Sequence, residues 1–162
     1  MIIYKQGNLL DSDCTVIVHQ VNCLGIMDEG IAKQIKEKYP CVYEDYKRIC
    51  DQQEEIGDLL GHVQIVDTKE GKYIANLFSQ KDTGRNEYKT NYEAFDRGCE
   101  ILSGIIIGKN NNPEIHNKWT IAFPYGIGCG LAGGTWKKVY DIINKHFGYN
   151  HDDIECRIYE LL

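Results

Sequence analysis

The sequence predicts an α/β fold with a mixed sheet and helices on its faces. Three observations point there. Apolar runs alternate with stretches of helical spacing in the order β, β, α, β, β, α, β, α, β. The run from Thr15 to Val21 is rich in β-branched residues and nearly continuous in apolarity, as for a strand covered on both faces. A strand empties into a loop and then a helix twice, at 16–32 and at 119–137.

The elements follow in order. Ile2 to Tyr4 reads as a short strand, and Gly7 to Asp11 as a turn or loop. Ile31 to Lys38 reads as a helix with Ile31, Ala32 and Ile35 on one face, and Pro40 breaks it. Helical spacing resumes from Val42 to Cys50. His62 to Val66 and Tyr73 to Phe78 read as a hairpin across a turn at Lys69-Glu70-Gly71. Gln80 to Lys89 is polar and reads as a surface loop. Tyr92 to Ile107 is helical, Trp119 to Phe123 a strand, Thr135 to His146 a helix, and Ile154 to Leu161 a last strand.

Composition narrows the function. A length of 162 residues predicts one domain over 1–162. Apolar runs are too short to span a membrane, and no signal peptide is expected at the start. The cysteines at 14, 23, 41, 50, 99, 129 and 156 are odd in number, scattered, and form no CxxC pair. That pattern argues for reduced thiols in a cytoplasmic protein, and against a disulfide framework or a zinc site. No metal and no cofactor are expected. A net charge of −6 argues against non-specific binding to nucleic acid. It leaves room for one anionic small ligand held by backbone amides.

The loop from Tyr125 to Gly134 carries the strongest chemical signal. Its glycines at 126, 128, 130, 133 and 134 allow positive φ and close approach of backbone to a ligand, with a helix start behind them. It is not a Walker loop, because no GK[ST] follows, and GxGxGxxGG is not the dinucleotide fingerprint. The first loop, Val16 to Ala32, ends its strand in His19, Gln20 and Asn22 and enters a helix after Gly30.

Together these residues resemble the macrodomain family, nearest its ADP-ribose-1''-phosphate phosphatase and terminal ADP-ribose glycohydrolase branch. Gly7-Asn8-Leu9-Leu10, Val16–Cys23 with Gly25–Pro40, Tyr73–Gln80, and Pro124–Gly134 with Trp136 carry the resemblance, which covers nearly the whole chain. It implies a three-layer α/β/α fold with a central mixed sheet, and ADP-ribose or a derivative as ligand. Asn8 and Leu9 would meet the adenine, with Leu161 near that side. Asn22 would hold the distal ribose. Met27, Asp28, Gly30, Ile31 and Ala32 would wrap the diphosphate and ribose. Pro124, Tyr125, Gly126, Ile127, Gly128, Cys129 and Gly130 would form the facing wall.

The chain also departs from the family. Relatives usually read M-G-x-G where this chain reads Met27-Asp28-Glu29-Gly30. Two carboxylates thus stand where backbone should meet an anion. The expectation is that they turn outward to solvent, the alternative that Asp28 orients a catalytic water. His19 aligns with a histidine of the phosphatase branch, a candidate for proton transfer. The lysine of the glycohydrolase branch falls nearest Gln80, with Lys81 next to it, and Ala132 takes the place of that branch's second-loop acid. Cys23 and Cys129 read as small buried fillers.

The expectation is therefore an enzyme that binds ADP-ribose or a derivative, with phosphate removal from ADP-ribose 1''-phosphate as the preferred reaction. The catalytic candidates are His19 and Asp28. The alternatives are a non-catalytic ADP-ribose reader and a de-ADP-ribosylating glycohydrolase, with a first loop adapted to another nucleotide as a third. ADP-ribosylated macromolecules are candidate partners, and a membrane is not.

Overall fold

The computed structural model describes residues 1–83, 90–130 and 132–161. These residues form strands β1 (Ile2–Gln6), β2 (Val16–Asn22), β3 (Val63–Asp67), β4 (Tyr73–Gln80), β5 (Ile121–Pro124) and β6 (Cys156–Glu160). The helices are α1 (Gly30–Lys38), α2 (Pro40–Asp51), α3 (Tyr92–Asn110) and α4 (Trp136–Phe147). One sheet runs β1-β6-β5-β2-β4-β3. Every neighbouring pair is parallel except β3 with β4, which is antiparallel, so the sheet is mixed.

Strand alternation sorts the core into layers. Val16 and Val18 of β2 pack with Phe95, Cys99 and Leu102 of α3 and Val139 and Ile143 of α4. Ile17, on the opposite face, packs with Ile35 of α1 and Val42 of α2. Val21 on that same face joins Tyr46 and Cys50 of α2. The three layers are α1/α2, the sheet, and α3/α4. A strand in the middle of such a sandwich has no wet face, which is why β2 reads as nearly continuous apolarity.

The expected elements all appear, with edges moved by local hydrogen bonds and by Pro40. The Gly7–Asp11 turn contains a 3-10 helix over Leu9–Asp11. Pro40 starts α2 at its first turn, where a missing N–H costs nothing, so α1 and α2 abut at Tyr39. The hairpin closes with Thr68 N–H donating to Lys72 C=O at 3.0 Å, and Lys69 and Gly71 take positive φ. Trp119 stays outside β5 because its N–H donates to Asn110 Oδ1 at 2.7 Å while its ring stacks on Tyr73. The final strand begins at Cys156, since Ile154 N–H is turned back onto His151 C=O. Of the expected 80–89 loop, residues 84–89 lie outside the described residues; Gln80 ends β4 and bridges to Thr90. No helix among the described residues is long and apolar enough to cross a membrane.

Candidate ligand cleft

A cleft of about 710 Å³ opens at the carboxyl ends of β5, β2 and β4. Ligands favour this position in parallel sheets because strand-to-helix loops converge there and helix N-termini point in.

The first wall is the loop between β2 and α1, and Asn22 builds it. Its Oδ1 accepts from Leu24 N–H at 3.0 Å, Ile26 N–H at 3.3 Å and Tyr46 Oη–H at 2.7 Å. Its Nδ2 donates to Ile26 C=O at 2.9 Å. Asn22 does line the cleft, but its acceptor is spent on folding the loop, and only its second N–H remains for a ribose. Gly25 at φ +82 turns the chain, and Gly30 at φ +60 opens α1. Glu29 is the N-cap residue, and its side chain does not cap, so the first-turn amides of α1 are left for a ligand. Gly30, Ile31 and Ala32 line the cleft there.

The second wall is the loop between β5 and α4. Gly126 and Gly128 take φ of +76° and +74°. Between them and beyond, Ile127 N–H donates to Pro124 C=O at 3.1 Å and Cys129 N–H to Gly126 C=O at 2.8 Å. The loop is thus wound tightly on itself. Pro124, Tyr125, Gly126, Ile127, Gly128 and Gly130 all face the cleft.

Five expected site residues are not among those that line this cleft. His19 is fully buried on the α1/α2 face of β2, with its Nε2 2.5 Å from Asn76 Oδ1. Burial pushes its pKa down to about 4, against the smaller opposing effect of Asn76. His19 sits further down β2 than the cleft-lining Gln20, Val21 and Asn22, is 0% exposed and does not line the cleft, so it is corrected to a core residue. Asn8 spends its Oδ1 on Leu10 N–H at 2.9 Å, capping the 3-10 helix, and Leu9 is buried against the core. Met27 is 1% exposed and packs with Cys23, Tyr46 and Phe78. Cys129 packs against the α3/α4 core with its Sγ 3.4 Å from Ile127 C=O. Met27 and Cys129 are each flanked by cleft-lining residues while their own side chains pack in the core.

Asp28 lines the cleft and its carboxylate lies 3.6 Å from Lys36 Nζ. Lys36 in turn sits over the Tyr43 ring at 4.1 Å. A paired carboxylate repels a diphosphate less than a bare one. Cys23 is buried, and desolvation raises its thiol to about 11, so it is an inert filler. Cys129 is also raised by burial. Among the described residues no group of three His, Cys, Asp or Glu side chains is placed to hold a metal.

Gln20, Val21, Ile26 and Thr83, which the sequence reading did not assign to the site, also line the cleft, as do Glu29 and the Gln80 and Ala132 positions singled out from the sequence. Parity was the available signal: Gln20 is one residue from His19 and therefore on the opposite face. Gln80 is placed by sheet order, since β4 neighbours β2. Lys81 turns the other way, its stem beside Gly57, and the described part of the cleft lining carries no lysine.

The fold and this two-loop cleft define a macrodomain, and the Macro domain family model matches residues 18–143. The chain belongs to that family. It is 37% identical over 142 residues to a DNA ADP-ribosyl glycohydrolase of Mycobacterium bovis, covering 86% of this chain and 36% of the relative. A DNA ADP-ribosyl glycohydrolase of Thermus aquaticus is 36% identical over 143 residues, with 86% and 36% covered. The chain thus spans about a third of the length of these relatives. An ADP-ribose 1''-phosphate phosphatase of Saccharomyces cerevisiae is 26% identical over 183 residues, covering 99% and 98%. Among solved structures, the macrodomain of Mycobacterium tuberculosis DarG superposes with a TM-score of 0.79 at 29% identity, covering 98% and 97%.

Proposed function

We propose that this chain binds ADP-ribose in the two-loop cleft and hydrolyses an ADP-ribosyl linkage, as the DNA ADP-ribosyl glycohydrolase relatives are named for doing. The observation that carries the reading is the pairing of two backbone walls. The uncapped start of α1 faces a tightly wound glycine loop across a cleft of about 710 Å³. Backbone donors of this kind suit a diphosphate, and a cleft of about 710 Å³ has room for a nucleotide-sized ligand. The substrate class is ADP-ribose attached to a macromolecule. The seven free cysteines agree with a reducing cytoplasm as its setting.

In this reading water attacks the anomeric carbon of the distal ribose, and the macromolecule leaves with a proton. Asp28, one of two carboxylates that line the cleft with Glu29, orients the water. Gln80 stands where relatives by resemblance keep a lysine, so no covalent link to the protein is formed. His19, held neutral behind the sheet, takes no part, which weakens the phosphatase reading. The Gln80 and Ala132 positions favour one second reading, a reader that binds ADP-ribose without turnover.

Calorimetry with ADP-ribose and turnover of two substrates decide among these. Micromolar binding is expected, with release of free ADP-ribose from an ADP-ribosylated single-stranded oligonucleotide. Binding with no release from any substrate makes the chain a reader. Phosphate release from ADP-ribose 1''-phosphate alone restores the phosphatase reading. No binding at millimolar ligand sinks all three.

A further inference from the structure

Behind the second loop lies a polar network that the cleft walls do not explain. Gln20 points from β2 to the α3/α4 side. Its Nε2 donates to Gln80 Oε1 at 3.2 Å and to Thr90 Oγ1 at 3.1 Å. Its Oε1 accepts from Ser79 Oγ–H at 2.6 Å. Thr90, 2% exposed, passes its own proton to the Gly128 carbonyl at 2.6 Å. That carbonyl also accepts Gly134 N–H at 2.7 Å. A second tie runs from Thr90 N–H to Ala132 C=O at 3.2 Å. The hydrogen bonds therefore run one way, from amide to hydroxyl to loop carbonyl, and both N–H groups of Gln20 are used.

The fit is tight. A Cβ added at Gly128 would stand 2.9 Å from Gln20 Oε1 and 3.1 Å from Thr90 Oγ1. The loop rests directly on these two side chains. The loop's internal hydrogen bonds fix its own winding, whereas its distance from β2 is set by what lies beneath it. Shifts of about 1 Å in such supports are enough to spoil a ligand contact.

We propose that Gln20 and Thr90 are positioning residues. They hold the second loop at the distance from β2 at which its backbone meets the ligand's diphosphate. Gln80, which lines the cleft, is clamped by the same amide and by Asp82 C=O at 2.7 Å. The inference rests on the ADP-ribose reading above, and its structural half stands without a ligand.

The experiment compares Thr90→Val, Thr90→Ser and Gln20→Leu. Valine keeps the volume and loses the hydroxyl, whereas serine keeps the hydroxyl. Thr90→Val and Gln20→Leu are expected to weaken ADP-ribose about tenfold, the scale of one lost buried hydrogen bond, while Thr90→Ser stays near wild type. AMP, which lacks the diphosphate and distal ribose, should be affected less. Equal loss with serine and valine, or equal loss for AMP and ADP-ribose, overturns the proposal. Amide exchange in the ligand-free protein supplies the second arm. Cys129 and Gly134 should exchange faster in Thr90→Val and unchanged in Thr90→Ser, with β2 amides unaltered. If wild type binds no ADP-ribose, the ligand assignment falls and this exchange pattern alone decides the positioning role. Unchanged loop exchange, or a rise throughout the sheet, refutes it.

Discussion

His19 shows how one residue of strand parity separates a core group from a site group. Its pKa in the folded chain is about 4, below the ordinary value of 6.5 for the unfolded chain, because burial disfavours the imidazolium. The folded state therefore resists protonation that the unfolded state accepts. Its contribution is fully present above about pH 6.5 and is lost as pH falls towards 4. A shift of that size corresponds to about 3 kcal/mol. Urea unfolding at pH 7 and pH 4.5 should show a lower midpoint at the acid pH; equal midpoints would show that His19 is hydrated. Asp28 gives a second test at this scale. Removing its charge with Asp28→Asn should tighten ADP-ribose a few-fold at low salt, since a partly screened carboxylate beside a diphosphate costs about 1 kcal/mol. The same change should slow turnover. Unaltered turnover would remove Asp28 from the reaction.

At the scale of elements, the cleft depends on how closely α3 and the second loop approach the sheet. Gly98 of α3 lies against β4, where a Cβ would come within 2.8 Å of Leu77. Gly98→Ala should cost about 1–3 kcal/mol through overpacking, despite the better helix propensity of alanine. Thermal melting reads the sign directly, and a stabilised variant would mean that Leu77 gives way freely. Gly134 is tighter, since its added Cβ would sit 2.4 Å from the Gly128 carbonyl. Gly134→Ala should therefore abolish ADP-ribose binding by pushing the loop off its support. Retained affinity would show a loop with room to move.

At the scale of the whole molecule, the net charge of −6 bears on the proposed action on ADP-ribose attached to a nucleic acid. Net negative charge disfavours binding to a phosphate backbone, so under that proposal the attached ADP-ribose supplies most of the affinity. Binding to an ADP-ribosylated oligonucleotide should show a shallow salt dependence, far from the steep slope of proteins that neutralise many phosphates. Unmodified oligonucleotide should bind poorly at physiological salt. A steep slope with strong binding of plain DNA would contradict this.

Much of the fold was legible in the residues. β2 could be read from Val16, Ile17, Val18 and Val21 because a strand buried on both faces leaves a nearly continuous apolar run. Pro40 marked the break between α1 and α2, and the glycines from 126 to 134 marked the second wall, because backbone geometry restricts which residues fit there. Those are local constraints, and local constraints are written in sequence. What Asn8, Met27, Cys129 and Gln20 do was decided by the tertiary structure. Asn8 and Cys129 are absorbed by nearby backbone, Met27 by the core under α2, and Gln20 by partners 59, 60 and 70 residues away along the chain. A side chain's hydrogen-bond capacity is finite, and only the packed molecule determines whether it is spent on the fold or left for a ligand.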